Sequence, residues 1–141
     1  MGKIALDSSV VLGWLLSDSK RVGEDKEIID KLLSEDVIII APRLMILELI
    51  NILCWRRKYG QDVALALMNK VGHLEIEWVD SDDLDEEDIF EITFRDKLTP
   101  YDAWFLQVAR QHGCQLLTHD KALLKVDTKV CITPSEFRGI F

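Results

Sequence analysis

The run Val37-Ile38-Ile39-Ile40-Ala41, stopped by Pro42, constrains the fold more than any other segment. All but one of its residues are β-branched, which favours a strand, and none is polar. A strand with one wet face alternates apolar and polar side chains. An unbroken apolar run belongs instead to a strand covered on both faces, as in parallel sheets flanked by helices. Such a sheet needs crossover connections, and the chain supplies them. Strands are predicted at 3–6, 37–41, 74–79, 115–118 and 130–133. Helix 9–16, capped by Ser8 or Ser9, follows the first strand. Ile28, Ile29, Leu32 and Leu33 mark an amphipathic helix before the second. Residues 43–58 form a helix apolar nearly all round that Gly60 closes, and 62–71 form another. An acidic segment opens a helix reaching Leu98, Thr99-Pro100-Tyr101-Asp102 opens one running to Gly113, and 121–124 is a helical turn. No repeat or linker interrupts the alternation. The chain is therefore read as one α/β domain, residues 1–141, around a mainly parallel sheet.

Against that apolar background four carboxylates stand out. Asp7 follows Ile4-Ala5-Leu6, Glu48 lies within Leu44-Met45-Ile46-Leu47-Glu48-Leu49-Ile50, Asp102 precedes Ala103-Trp104-Phe105-Leu106, and Asp120 comes just after Leu116-Leu117-Thr118. Carboxylates are rarely buried unless paired or bound to a cation. Asp7 and Asp120 sit at or just past the carboxyl ends of predicted strands. Glu48 and Asp102 sit early in helices that begin at that same edge, where open α/β sheets carry their chemistry. Chain direction alone can bring all four together.

Each acid also has a purely structural explanation. Asp7 can cap the helix after it, Asp120 the turn at Lys121, and Thr99 with Asp102 three residues later reads as a capping box with Pro100 at the first helical position. Glu48 has the weakest such explanation, with Asn51 as a polar neighbour on its face. It is the joint occurrence that points to function. Four clustered carboxylates repel one another, and magnesium or manganese, which take oxygen ligands, remove that cost. His73, His112 and His119 show no ligand spacing and the cysteines form no CxxC pair, which argues against zinc. His119 stands beside Asp120.

Composition narrows the partners. The net charge of −8 argues against a general nucleic-acid binder, yet the segment from Asp80 to Asp88 holds seven acids and no base. Setting these aside leaves 18 acids against 17 bases, so a local basic groove is compatible with the chain. Arg43, Arg95, Lys97 and Lys121, near the four acids in sequence, are its candidates. Three scattered cysteines fit a reducing, cytoplasmic setting. The longest apolar stretch, residues 44–55, is broken by Glu48 and Asn51 and too short to span a bilayer, so no membrane association is expected. No signal peptide is read at the N-terminus. Four Trp and apolar excess around 28–33 and 44–55 point to a homodimer.

The segments Asp7-Ser8-Ser9-Val10-Val11, Glu48-Leu49-Ile50-Asn51, Thr99-Pro100-Tyr101-Asp102-Ala103-Trp104-Phe105-Leu106 and Leu117-Thr118-His119-Asp120-Lys121-Ala122-Leu123 closely resemble, in order, the motifs of PIN-domain nucleases. The small VapC-type toxins of toxin–antitoxin pairs are the best match, over essentially the whole chain. The resemblance implies a three-layer α/β/α sandwich with a central, mainly parallel sheet. It implies magnesium- or manganese-dependent cleavage of RNA, with Asp7, Asp102, Asp120 and Glu48 as metal-holding, catalytic acids. It also implies Ser9, Asn51 and Thr118 as the polar residues that orient them, and an antitoxin protein as partner. A module of the same fold that binds RNA or a protein without cutting is the alternative. An aspartyl phosphatase needs a second acid two places after the first, where this chain has Ser9, and no Gly-rich phosphate loop is present.

Overall fold

A computed structural model describes residues 2–16 and 22–139. Five strands form one sheet: β1 (Gly2–Leu6), β2 (Val37–Pro42), β3 (Glu77–Val79), β4 (Leu116–Leu117) and β5 (Cys131–Ile132). Their order is β3-β2-β1-β4-β5 and every neighbouring pair is parallel. Seven helices flank it: α1 (Ser8–Leu15), α2 (Val22–Ser34), α3 (Leu44–Asn51), α4 (Gln61–Val71), α5 (Glu86–Asp96), α6 (Pro100–Gln111) and α7 (Lys121–Val126). The architecture is the three-layer α/β/α sandwich that the unbroken run at β2 predicts. Ile39, Ile40 and Ala41 on β2 and Ile4, Ala5 and Leu6 on β1 are all buried, which requires cover on both faces. Phe105, Leu106, Val108 and Ala109 of α6 join the same core.

Several predicted boundaries move, each for a local reason. α1 begins one residue early because Asp7, not Ser8 or Ser9, is its cap, its carboxylate accepting the Ser8 N–H at 2.9 Å. The predicted helix 43–58 is α-helical only as far as Asn51. A π-helical turn (Ile52–Arg56) follows, and Lys58, at φ 56°, turns the chain away. Gly60 instead precedes α4 with an ordinary φ of −66°. The strand predicted at 74–79 starts only at Glu77, because Gly72–Leu74 is a 3₁₀ turn and Glu75 is left-handed. In the acidic segment Ser81–Asp83 is another 3₁₀ turn. α5 begins at Glu86, capped by Asp85 Oδ1 accepting the Asp88 N–H at 3.2 Å, and stops at Asp96 because Lys97 is left-handed. α6 ends at Gln111, two residues before the left-handed Gly113.

Candidate active site

The strand order reverses at β1. From it the sheet grows through β2 to β3 on one side and through β4 to β5 on the other. The crevice beyond the carboxyl ends of β1 and β4 is therefore the switch point where sheets of this kind bind ligands. Leu6 pairs with Leu117, and the Asp7 N–H donates to the Leu117 carbonyl at 3.0 Å. Asp7-Ser8-Ser9 and Thr118-His119-Asp120 thus leave the sheet side by side.

Asp7 is only 7% exposed, and three donors hold it. Ser8 N–H donates to Oδ1, while the Ser9 and Thr118 hydroxyls donate to Oδ2 at 2.8 and 2.7 Å. Thr118 Oγ1 accepts the Asp120 N–H at 2.9 Å, and Asp120 Oδ1 accepts the Leu123 N–H at 2.9 Å, capping α7. Glu48, half-buried, arrives from α3 with Oε1 accepting the Ser8 hydroxyl at 2.7 Å. Asp102 arrives on the first turn of α6. Its N–H donates to Thr99 Oγ1 at 3.2 Å, half of the predicted capping box, a role that occupies the main chain only.

The electrostatics tie the four acids together. Burial raises Asp7 above its ordinary value, against the lowering effect of the Thr118, Ser9 and Ser8 donors, and the charge of Asp120 adds to the rise. Burial likewise raises Glu48, with Asp7 and Asp102 contributing repulsion. Asp102 is pushed up to about 6, first by burial and then by Asp120 and Asp7. The charges that act on these three carboxyls are other members of the same set. Sequence positions 7, 48, 102 and 120 share one electrostatic neighbourhood.

Among the described residues no three carboxylate, imidazole or thiol groups close on a single point that could hold an ion. A closed cage such as structural zinc or calcium demands is absent among them. Magnesium makes a weaker demand, since it is usually held by one or two carboxylates and keeps several waters. An all-oxygen set of mutually repelling acids fits that ion. A cavity of about 710 Å³ lies elsewhere, between Lys3, Cys114, Gln115 and Val130, and none of the four acids lines it.

Of the supporting residues predicted from sequence, Ser9 and Thr118 reach Asp7. Asn51 does not join them: it is exposed, and the partner of Glu48 is Ser8. Ser8 was the residue missed. Its only signal was adjacency to Asp7, which read equally well as a helix cap. Of the predicted cations, Arg43 forms an ion pair with Asp80 and lies over the Trp78 ring. Arg95 is bound to Glu91 and Asp96. Lys121 is exposed at the first position of α7, directly after Asp120.

A model of the PIN domain matches residues 4–129, a span that takes in all four acids. The chain belongs to the PIN-domain family. PIN domains are generally nucleases and typically use divalent metal ions. The crystal structure of PAE2754 from Pyrobaculum aerophilum is similar with a TM-score of 0.69, at 24% identity, over 95% of this chain and 90% of that one, which shows a shared fold. No curated protein sequence matches significantly. No helix among the described residues of this PIN domain is long and apolar enough to cross a membrane.

Proposed function

We propose that this PIN domain is a magnesium- or manganese-dependent endoribonuclease, the toxin of a toxin–antitoxin pair, acting in the cytoplasm. The observation that carries the proposal is geometric: Thr118 joins Asp7 to Asp120 and Ser8 joins Asp7 to Glu48 at one sheet edge, and Asp102 lies close enough for the charges of Asp120 and Asp7 to act on it. A fold that keeps four carboxylates at one sheet edge, with Asp7, Glu48 and Asp102 raised, gives up stability there, and a cation at that edge would return it. Asp7, Glu48, Asp102 and Asp120 are the residues that would hold the ion. When bound, such an ion activates water and stabilises charge on phosphoryl oxygens. The chain's own part is to keep Asp7 rigid through Thr118, Ser9 and Ser8, to hold Glu48 through Ser8, and to leave the edge open to a phosphodiester. One of the raised carboxyls would take the proton released as water attacks.

The RNA backbone would be met by Lys121 and Lys97, with Arg43 and Arg95 contributing after giving up their present partners. A homodimer and an antitoxin protein are proposed as partners, supported by exposed apolar side chains. Trp55 is 76% and Leu65 58% exposed beside a groove of about 620 Å³ that Ile50, Tyr59 and Met68 also line.

The competing reading is a non-catalytic PIN-fold module that binds RNA or a protein, and the lack of three converging ligands among the described residues is the observation in its favour. Cleavage of a mixed RNA pool with manganese decides between them. The nuclease reading requires cutting by the parent and loss of cutting in Asp7→Asn and Asp102→Asn. RNA binding without cutting in the parent would establish the module instead.

A further inference from the structure

Helix α2 carries no predicted site residue, yet it reaches the acidic edge through a buried hydrogen bond. His119 Nε2 lies 2.7 Å from Asp25 Oδ1, with the two side chains 7% and 0% exposed. The two groups share this hydrogen bond, its donor set by the tautomer of the imidazole. The histidine between Thr118 and Asp120 therefore points away from the acids and into the body of the protein.

The pair is built in from a third side. Asp25 packs onto α1 at Gly13, where a Cβ would stand 1.5 Å from Asp25 Oδ2 and 2.5 Å from its Cγ. Any side chain at position 13 would displace the carboxylate, so glycine is needed there for close approach. At the other end, the His119 N–H donates to Ser9 Oγ at 3.1 Å, and Ser9 donates to Asp7 Oδ2. On either side of His119 stand Thr118, the other hydroxyl donor to Asp7, and Asp120. Residues 118–120 are thus gripped from α1 with its cap Asp7 and from α2, while the Thr118 main-chain N–H donates to the Ile132 carbonyl of β5 at 3.0 Å.

We propose that Asp25 and His119, seated by Gly13, are positioning residues of the acidic site: they fix the 118–120 segment and so set the cation affinity of Asp7 and Asp120. The inference rests on the divalent-cation reading above. Partners of this kind, one step removed from the ligands, alter metal affinity by about 10–100-fold when lost.

The test uses the full chain as parent, His119→Leu, Gly13→Ala and His119→Gln, the last because a glutamine amide can stand in for the imidazole Nε2. Manganese affinity is read by electron paramagnetic resonance, and amide exchange at His119 and Asp120 by NMR. His119→Leu and Gly13→Ala should each weaken manganese by about tenfold or more and speed exchange at both amides. Exchange at Ile4 and Ile40 should stay as in the parent. His119→Gln should restore most of both. Folded His119→Leu and Gly13→Ala with parental affinity and exchange overturn the proposal, as does a His119→Gln no better than leucine. If neither disruptive variant folds, the parent still decides. Linkage is reciprocal, so saturating manganese must slow exchange at Ile28 and Ile29 in α2, and unchanged rates there overturn the coupling. A parent that binds no manganese refutes the cation reading alone, and the exchange comparison among variants then judges the pair by itself.

Discussion

Thr118 Oγ1 donates to Asp7 Oδ2 at 2.7 Å while accepting the Asp120 N–H at 2.9 Å, so one hydroxyl spans two candidate ligands that lie 113 positions apart in sequence. Its orientation is forced, because a hydroxyl has a single hydrogen and the carboxylate needs it. Thr118→Val keeps the shape and removes both bonds. Hydrogen bonds to charged groups are worth about 1.5–3 kcal/mol, so a stability loss of that order is expected in urea unfolding at pH 7. The Asp7 carboxyl should rise further, since this donor lowers it. A valine variant as stable as the parent would show that the bridge contributes nothing.

Neutralising the acids should act in opposite directions with and without metal. Both Asp7→Asn and Asp102→Asn thin a crowd of like charges, so Asp102→Asn should melt at or above the parent temperature in EDTA, whereas Asp7→Asn should gain less because an amide cannot accept at both Oδ1 and Oδ2. With manganese at about 100-fold above its dissociation constant, the parent should gain about 2.7 kcal/mol and the variants little of it. Melting curves in EDTA and in manganese give both answers. Equal manganese shifts in all three proteins would remove Asp7 and Asp102 from the ligand set.

The metal-free protein should lose stability as pH rises from 4 to 6. Below the ordinary value of 3.8 Asp102 is protonated whether folded or not. Above about 6 it is ionised in both states, and the folded state bears the unfavourable charge. In between, the folded protein retains a proton that the unfolded chain has released, so stability falls with pH. A rise from 3.8 to about 6 converts to ~3 kcal/mol at full strength. Solvent around this half-buried group should screen the effect to about 1 kcal/mol. Asp7 and Glu48 are raised as well and push the same way. Denaturant midpoints at pH 4, 5 and 6 should decline for the parent and flatten for Asp102→Asn.

Gln107 offers a test away from the acids. It is wholly buried in α6, where its amide bonds the Asp85 backbone N–H and C=O and Asp88 Oδ2, fastening α6 to the start of α5. Gln107→Leu leaves those groups without their partner and should cost about 1–3 kcal/mol in thermal or urea unfolding. A cost near zero would mean that water replaces the amide at that helix start.

Binding measurements should separate the cations. Lys121→Ala should weaken RNA binding across sequences and flatten its salt dependence, as loss of a phosphate contact does. Arg95→Ala should do less, because Glu91 and Asp96 already hold that guanidinium. The reverse ranking would move the groove toward α5.

How much of this was legible in the sequence depends on the range of the interaction concerned. The sheet was, because burial on both faces leaves an unbroken apolar run such as 37–41 and needs no knowledge of neighbours. The shared edge of the four acids was too, since it follows from strand direction. Local chain reversals at Glu75, Lys58 and Lys97 were not, for none of these residue types announces a left-handed conformation. Partner choice was harder still. Asn51 stands one helical turn from Glu48 and reads as its mate, whereas Ser8 takes that place from 40 positions away. Asp25 gave no signal at all among the other acids of α2. The glycine that admits it, inside an apolar stretch of α1, was the sole trace.

The distance along the chain between Asp7 and Thr118 has a consequence for synthesis. At about 5–20 residues per second, roughly 5–20 s separate their appearance on a ribosome. Through that interval Asp7 exists without β4 beside it and without the Thr118 hydroxyl or the Asp120 carboxylate. A nascent chain therefore carries the first acid of the crevice long before the crevice itself. If the finished protein cuts RNA as proposed, the messenger and ribosome that make it are spared until translation has run past residue 120.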